Sequence, residues 1–152
     1  MKDVNFAQTG GIDMLENNLN ENYLDPFNIE KLAMSFLPDK KKKIMVVDDD
    51  QDFRISLCEM LVDKGFKVTT AKDGEVALNN LIFENDLPDL ILLDVVMPVK
   101  SGIEFRQDQL KFDGISEIPV IFMSGFHDQA LVDSIQKPFD WDLLMVKMSL
   151  FL

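Results

Sequence analysis

The sequence predicts an α/β fold in which a doubly wound parallel sheet carries helices on both faces. Three observations predict it. Ile44–Val47, Leu90–Leu93 and Val120–Met123 are short, unbroken apolar runs, the pattern of strands buried on both faces. Helix-spaced stretches alternate with them, as in βαβ units. Each run also closes on a polar residue: Asp48-Asp49, Asp94 and Ser124. In open parallel sheets, chemistry gathers at the carboxyl ends of the strands.

The elements follow in order. Ile44–Val47 is the first strand. A helix is expected over Asp52–Lys64, with Phe53, Leu57, Met60 and Leu61 on one face and Gly65 ending it. Asp50 is placed to cap a helix. Phe66–Thr70 is the second strand. The turn pair Asp73-Gly74 then opens a helix over Gly74–Phe83. Leu90–Leu93 is the third strand, Ile103–Lys111 the third helix and Val120–Met123 the fourth strand. The alternation then breaks. The next strand signal, Val132–Gln136, follows Ser124 too closely for a crossover helix, which needs at least about 10–12 residues. The fourth helix is therefore expected to be absent or truncated. After Lys137-Pro138, Asp140–Leu150 is the last helix, with Leu143, Leu144, Met148 and Phe151 toward the sheet and Trp141 as its anchor. Cys58 is expected as a small packed hydrophobe.

Ahead of these elements lies an acidic segment, expected as an N-terminal helical extension over 1–39, with the main domain over 40–152. Ile12, Leu15, Leu19 and Tyr23 form one apolar stripe, and Ile29, Leu32, Ala33 and Phe36 another, with Asp25-Pro26 as a helix start and Pro38 as a stop. Short amphipathic helices need a surface to be stable. The expectation is that one of them covers the gap after the fourth strand, with a free arm as the alternative. The run Lys40–Lys43 is read as a solvated linker.

The chain has 152 residues, 47% of them apolar, and a formal net charge of −12, so it can bury a core and lacks the basic surface that nucleic-acid binding needs. No run approaches the roughly 18 apolar residues of a membrane span, and the N-terminus is unlike a signal peptide. A lone cysteine fits a reducing compartment. A cytoplasmic protein with no nucleic-acid or membrane partner is expected.

Three carboxylates, one hydroxyl and one ammonium thus fall at the strand ends: Asp48, Asp49, Asp94, Ser124 and Lys137. Taken singly they have ordinary structural readings: an Asp as a helix cap, Ser124 as a turn residue, Lys137 as a surface charge. Together, in this order, they suit a divalent cation and a phosphoryl group. Clustered carboxylates require positive charge, and all-oxygen donors favour Mg2+ or Mn2+ over zinc. Asp94 is placed as nucleophile, Lys137 to neutralise a phosphoryl oxygen and the Ser124 hydroxyl to donate to another.

Val46-Val47-Asp48-Asp49, Asp94 with Met97-Pro98 and Gly102, Ser124-Gly125 and Lys137-Pro138-Phe139 resemble the receiver domain of response regulators in bacterial two-component signalling, over about residues 43–151. The resemblance implies a flavodoxin-like five-stranded sheet of order 2-1-3-4-5. It implies that Asp94 is the phosphoacceptor, and that Asp48, Asp49, Asp94 and the backbone carbonyl of Val96 hold Mg2+, with Mn2+ as a substitute. Ser124 and Lys137 bind the phosphoryl group. The donor is a histidine kinase or a histidine phosphotransfer protein.

Two departures bear on output. The fourth helix is missing or short, and Ser134 stands where receivers carry an aromatic switch residue. Phe126 is a weak substitute for that aromatic. Val96 and Phe126 flank the pocket at positions that modulate water access in receivers, so a long-lived aspartyl phosphate is expected. His127 is read as a surface loop residue. The expected function is a single-domain response regulator acting through protein–protein contacts with an unidentified effector, with homodimerisation open. It is not an enzyme beyond catalysing its own phosphorylation and dephosphorylation. The alternatives are a phosphorelay intermediate or phosphate sink and a pseudo-receiver scaffold. A phosphatase of the haloacid-dehalogenase type is disfavoured because its second Asp is replaced by Val96.

Overall fold

The computed structural model describes residues 41–125 and 133–152. The expectations for the N-terminal extension, Phe126 and His127 fall outside the described residues. Five strands form one sheet: β1 (Lys43–Val47), β2 (Lys67–Ala71), β3 (Leu90–Asp94), β4 (Val120–Ser124) and β5 (Ser134–Gln136). Their order is β2-β1-β3-β4-β5, as the resemblance implied, and every pairing is parallel, as the βαβ alternation implied. The described helices are α1 (Gln51–Asp63), α2 (Gly74–Phe83), α3 (Gly102–Gln109) and α4 (Trp141–Ser149). Among the described residues no helix lies between β4 and β5.

Strand alternation divides the core in two. Met45, Val47, Ile91, Leu93 and Val120 meet Ala77, Leu78 and Leu81 of α2 and Phe105 of α3 on one face. Ile44, Val46, Leu90, Leu92, Ile121 and Met123 meet Leu57 and Leu61 of α1 and Leu144 and Met148 of α4 on the other. Residues of β1 and β3 point alternately to both cores, which is why they read as continuous apolar runs. Burial of each such Leu or Ile contributes roughly 1.5–3 kcal/mol.

Local chemistry sets the helix starts. The Asp50 carboxylate accepts from the backbone N–H groups of Asp52 and Phe53, and Asp73 accepts from Val76 N–H. Ser101 and Glu104 form a reciprocal capping box at α3. Gly65, at φ +93°, follows α1 in the left-handed region, as expected of its end.

Four expectations need correction. Lys43 is the buried first residue of β1, its ammonium paired with Glu84 at 3.1 Å, and Lys42 pairs with Asp89. The end of the lysine run is therefore structural, because the β1 ladder begins there. Met60 is 44% exposed and Leu143 is 49% exposed, since the buried stripes of α1 and α4 are narrower than their apolar content. α3 ends at Gln109, where the Gln109 side chain turns to Ile115 O and Ile118 O and bonds the following loop. Within the described part of Val132–Gln136, the last strand begins only at Ser134, and Ser134–Gln136 pair with β4.

Candidate functional site

Backbone register brings the polar strand ends together. Val47 lies beside Leu93 and Asp94 beside Met123, while Ser124 pairs with Gln136. Asp48 and Asp94 therefore end adjacent strands, and Lys137 begins just past the next pair. The ladder continues beyond the strands: Asp48 N–H donates to Ala71 O, Val95 N–H to Met123 O and Lys137 N–H to Ser124 O at 2.7 Å. This backbone continuity fixes where each side chain starts.

The Lys137 ammonium bridges the two buried acids. Its Nζ lies 2.5 Å from Asp48 Oδ2 and 2.5 Å from Asp94 Oδ1. Asp48 is 1% exposed, and Asp94 and Ser124 are also buried. Each carboxylate is held by a second bond. Asp50 N–H donates to Asp48 Oδ1 at 3.0 Å, and Val96 N–H donates to Asp94 Oδ2 at 2.9 Å. The two oxygens of Asp94 are thereby distinguished: Oδ2 faces the loop and Oδ1 faces the ammonium.

Burial raises the Asp48 carboxyl above its usual range, outweighing the hydrogen bond and charge of Lys137, which lower it; Asp94 adds repulsion. A carboxylate paired with lysine would ordinarily move down. Here the loss of water dominates. Burial pulls the Lys137 ammonium down, but its bonds to Asp48 and Asp94 more than reverse this and hold it above the ordinary lysine value. The pocket thus concentrates negative charge in a dry place and draws a cation onto it.

Asp49 is exposed at the rim. Among the described residues, no three His, Cys, Asp or Glu side chains form a ready-made metal cage. Of the three carboxylates expected to meet, two close on one ammonium. The donor set still fits a hard divalent ion, because Asp48 and Asp94 offer only carboxylate oxygens and already take positive charge between them. Nothing in it suits a softer metal.

The loop after Asp94 is tightly wound. Lys100 N–H donates to Pro98 O across Val99, whose φ of +69° is costly for a β-branched residue. Gly102 closes the loop: a Cβ there would lie 2.2 Å from Asp94 O. Val96, on the same loop, is 68% exposed.

Two contacts escaped the sequence reading. Arg54 Nη1 donates to the backbone carbonyl of Asp48 at 2.6 Å. The ring of Phe53 lies under Lys137, with Nζ 4.4 Å from the ring centroid. Helical spacing identified Phe53 only as a core-facing residue.

Comparison with known proteins adds the following. Residues 44–148 match the family model described as response regulator receiver domain. The probable transcriptional regulator ycf27 of Guillardia theta is 37% identical over 90 residues, covering 59% of this chain and 34% of that protein. The transcriptional regulatory protein CpxR of Escherichia coli is 50% identical over 62 residues, 41% of this chain and 25% of its own length. The chain thus spans a quarter to a third of these curated relatives. Among solved structures, chemotaxis protein CheY4 of Vibrio cholerae superposes with TM-score 0.67 at 26% identity, covering 74% of this chain and all of that one. Response regulator TrrA of Thermotoga maritima, in complex with Mg(2+)-BeF, superposes with TM-score 0.64 at 30% identity, covering 73% of this chain and 99% of that one.

Proposed function

The chain belongs to the response regulator receiver domain family, and we propose that it accepts a phosphoryl group on Asp94 from a histidine kinase or histidine phosphotransfer protein. The observation that carries this reading is the Lys137 ammonium held on both Asp48 and Asp94. A cation aimed at a buried strand-end carboxylate is what phosphoryl transfer to that carboxylate requires.

Asp48, Asp49, Asp94 and the Val96 carbonyl would hold the divalent ion, and the complex of TrrA with Mg(2+)-BeF supports Mg2+ as that ion. The ion supplies charge neutralisation between the acceptor and the incoming phosphoryl oxygens. Asp94 Oδ1 attacks phosphorus, the bond to the donor imidazole nitrogen breaks with its electron pair, and an acyl phosphate forms. Val96 N–H keeps the carboxylate oriented. Lys137 leaves Asp48 and donates to a phosphoryl oxygen, and the Ser124 hydroxyl donates to another.

The protein catalyses only this transfer and the hydrolysis of the acyl phosphate by water, which returns the free Asp94 carboxylate and inorganic phosphate. Output runs through protein–protein contacts whose two states the added phosphate touches differently. Among the described residues, no helix is long and apolar enough to cross a membrane.

Incubation with Mg2+ and acetyl phosphate, followed by intact mass, tests the proposal. One phosphoryl group should be added to the wild-type chain and none to Asp94→Asn. Equal labelling of the two, or of neither, overturns it.

A further inference from the structure

Lysine is a poor tool for fixed positioning. Its ammonium rides on a four-carbon stem with high rotamer entropy, and here that stem reaches from beyond β5 back to β3 and β1. Two carboxylates hold it from one side. They cannot hold it throughout the proposed reaction, because there Asp48 binds the ion and Asp94 becomes an acyl phosphate. A third, uncharged contact would keep the ammonium in place while its anionic partners change.

The Phe53 ring supplies such a contact. Lys137 Nζ lies 4.4 Å from its centroid, inside the roughly 6 Å reach of a cation–π interaction. The ring is itself fixed from two directions. Phe53 N–H donates to the capping carboxylate Asp50 Oδ1 at 3.0 Å, which anchors the residue in the first turn of α1. Phe139 meets the ring edge-on, with centroids 5.9 Å apart and planes at 80°. Phe139 lies two residues after Lys137, so the segment bearing the ammonium also braces the ring beneath it.

We propose that Phe53 is a positioning residue: its ring holds the Lys137 ammonium over Asp94 as the lysine passes from carboxylate to phosphoryl oxygen. This rests on the proposed phosphotransfer function for its kinetic consequence, but the contact itself is testable without it.

The test uses the full 152-residue chain as wild type, Phe53→Tyr and Phe53→Leu, each checked by thermal melting. In proton–carbon spectra of lysine-labelled protein, with the Lys137 signal assigned by its loss in Lys137→Arg, the ε-methylene protons should lie upfield of the other lysines through the ring current. Tyr should retain that shift and Leu should lose it. Initial labelling by acetyl phosphate at saturating Mg2+ should stay within about twofold for Tyr and fall about 3- to 30-fold for Leu. An unshifted wild-type signal overturns the inference. So do equal rate losses in Tyr and Leu, which would indicate packing alone, or an undiminished rate in Leu. If the wild type takes up no phosphate, the proposed function fails, and the lysine spectrum still decides whether Phe53 holds Lys137.

Discussion

Asp94 ends a five-residue strand with every residue buried and a hydrogen-bonded neighbour on each side, whereas Lys137 follows a three-residue strand with one neighbour among the described residues. In β5 only Ile135 is fully buried. The acceptor is therefore set by the rigid centre of the sheet, and its cation arrives on a short margin. The difference teaches that the two halves of the pocket are stabilised differently. Asp94 is placed by its strand, while Lys137 is placed by its contacts: two carboxylates, one backbone bond to Ser124 and the Phe53 ring. Damage at the centre should unfold the domain, and damage at the margin should mainly misplace the lysine.

The sharpest way to break the centre is Gly102→Ala. The new methyl would press on Asp94 O at 2.2 Å and on Leu93 Cγ at 3.1 Å. Backbone cannot yield there without moving the acceptor. A loss of about 3 kcal/mol is expected in denaturant unfolding, with labelling of Asp94 impaired in whatever remains folded. Unchanged stability would show that the loop is looser than its geometry implies.

Paired truncations grade centre against margin. Leu92→Ala, in a wholly buried strand, should cost about 3 kcal/mol. Ile135→Ala should cost about 2 kcal/mol, since the edge can settle into the space it leaves. Equal losses would mean that β5 is as firmly built as β3.

Lys137→Met probes the margin directly. It leaves Asp48 and Asp94 facing each other without their cation, and should cost about 1–2 kcal/mol near neutral pH, because the lysine side chain retains some solvent contact. The pH dependence has a fixed sign. Lys137 is held above its ordinary value in the fold. Its stabilisation is complete below the unfolded lysine value of about 10.4 and is lost as pH rises through the folded one. Asp48 is also raised, so its contribution is greatest in acid and declines as pH climbs through its folded value. Wild type should therefore lose its advantage over Lys137→Met in strong alkali. An advantage that persists there would mean the ammonium is not what stabilises the site.

Much of this was legible in the sequence because it is local. Apolar runs located β1, β3 and β4, Asp50 and Asp73-Gly74 marked helix starts, and polar residues at strand ends marked the pocket. The rest depends on pairing across the chain. No local signal says that Phe53 lies under Lys137, because their contact requires α1 and β5 to converge on one end of the sheet. Nor does periodicity reveal that Gln109 bonds Ile115 O and Ile118 O instead of extending α3. Met60 and Leu143 misled because an apolar residue adjoining a buried stripe looks the same in sequence whether or not a neighbour covers it. Lys43 misled in the opposite sense: a charge run resembles a linker until Glu84 is brought beside it.

The smallest effect concerns water, at the open side of the pocket. Val96 is 68% exposed, and its N–H holds Asp94 Oδ2. Its backbone thus belongs to the centre while its side chain is exposed beside the acceptor. Hydrolysis of an aspartyl phosphate needs a water aligned with the phosphorus–oxygen bond, and an isopropyl group two residues from the acceptor offers that water no hydrogen bond. Val96→Asn supplies one at similar size and leaves the N–H in place. Phosphoryl loss from the purified, labelled chain should speed up by about 3- to 10-fold, roughly 1 kcal/mol in the barrier, with little change in melting temperature. If the decay rate does not move, the side chain at this position does not control solvent access, and any persistence of the acyl phosphate must come from how Lys137 and Ser124 hold it.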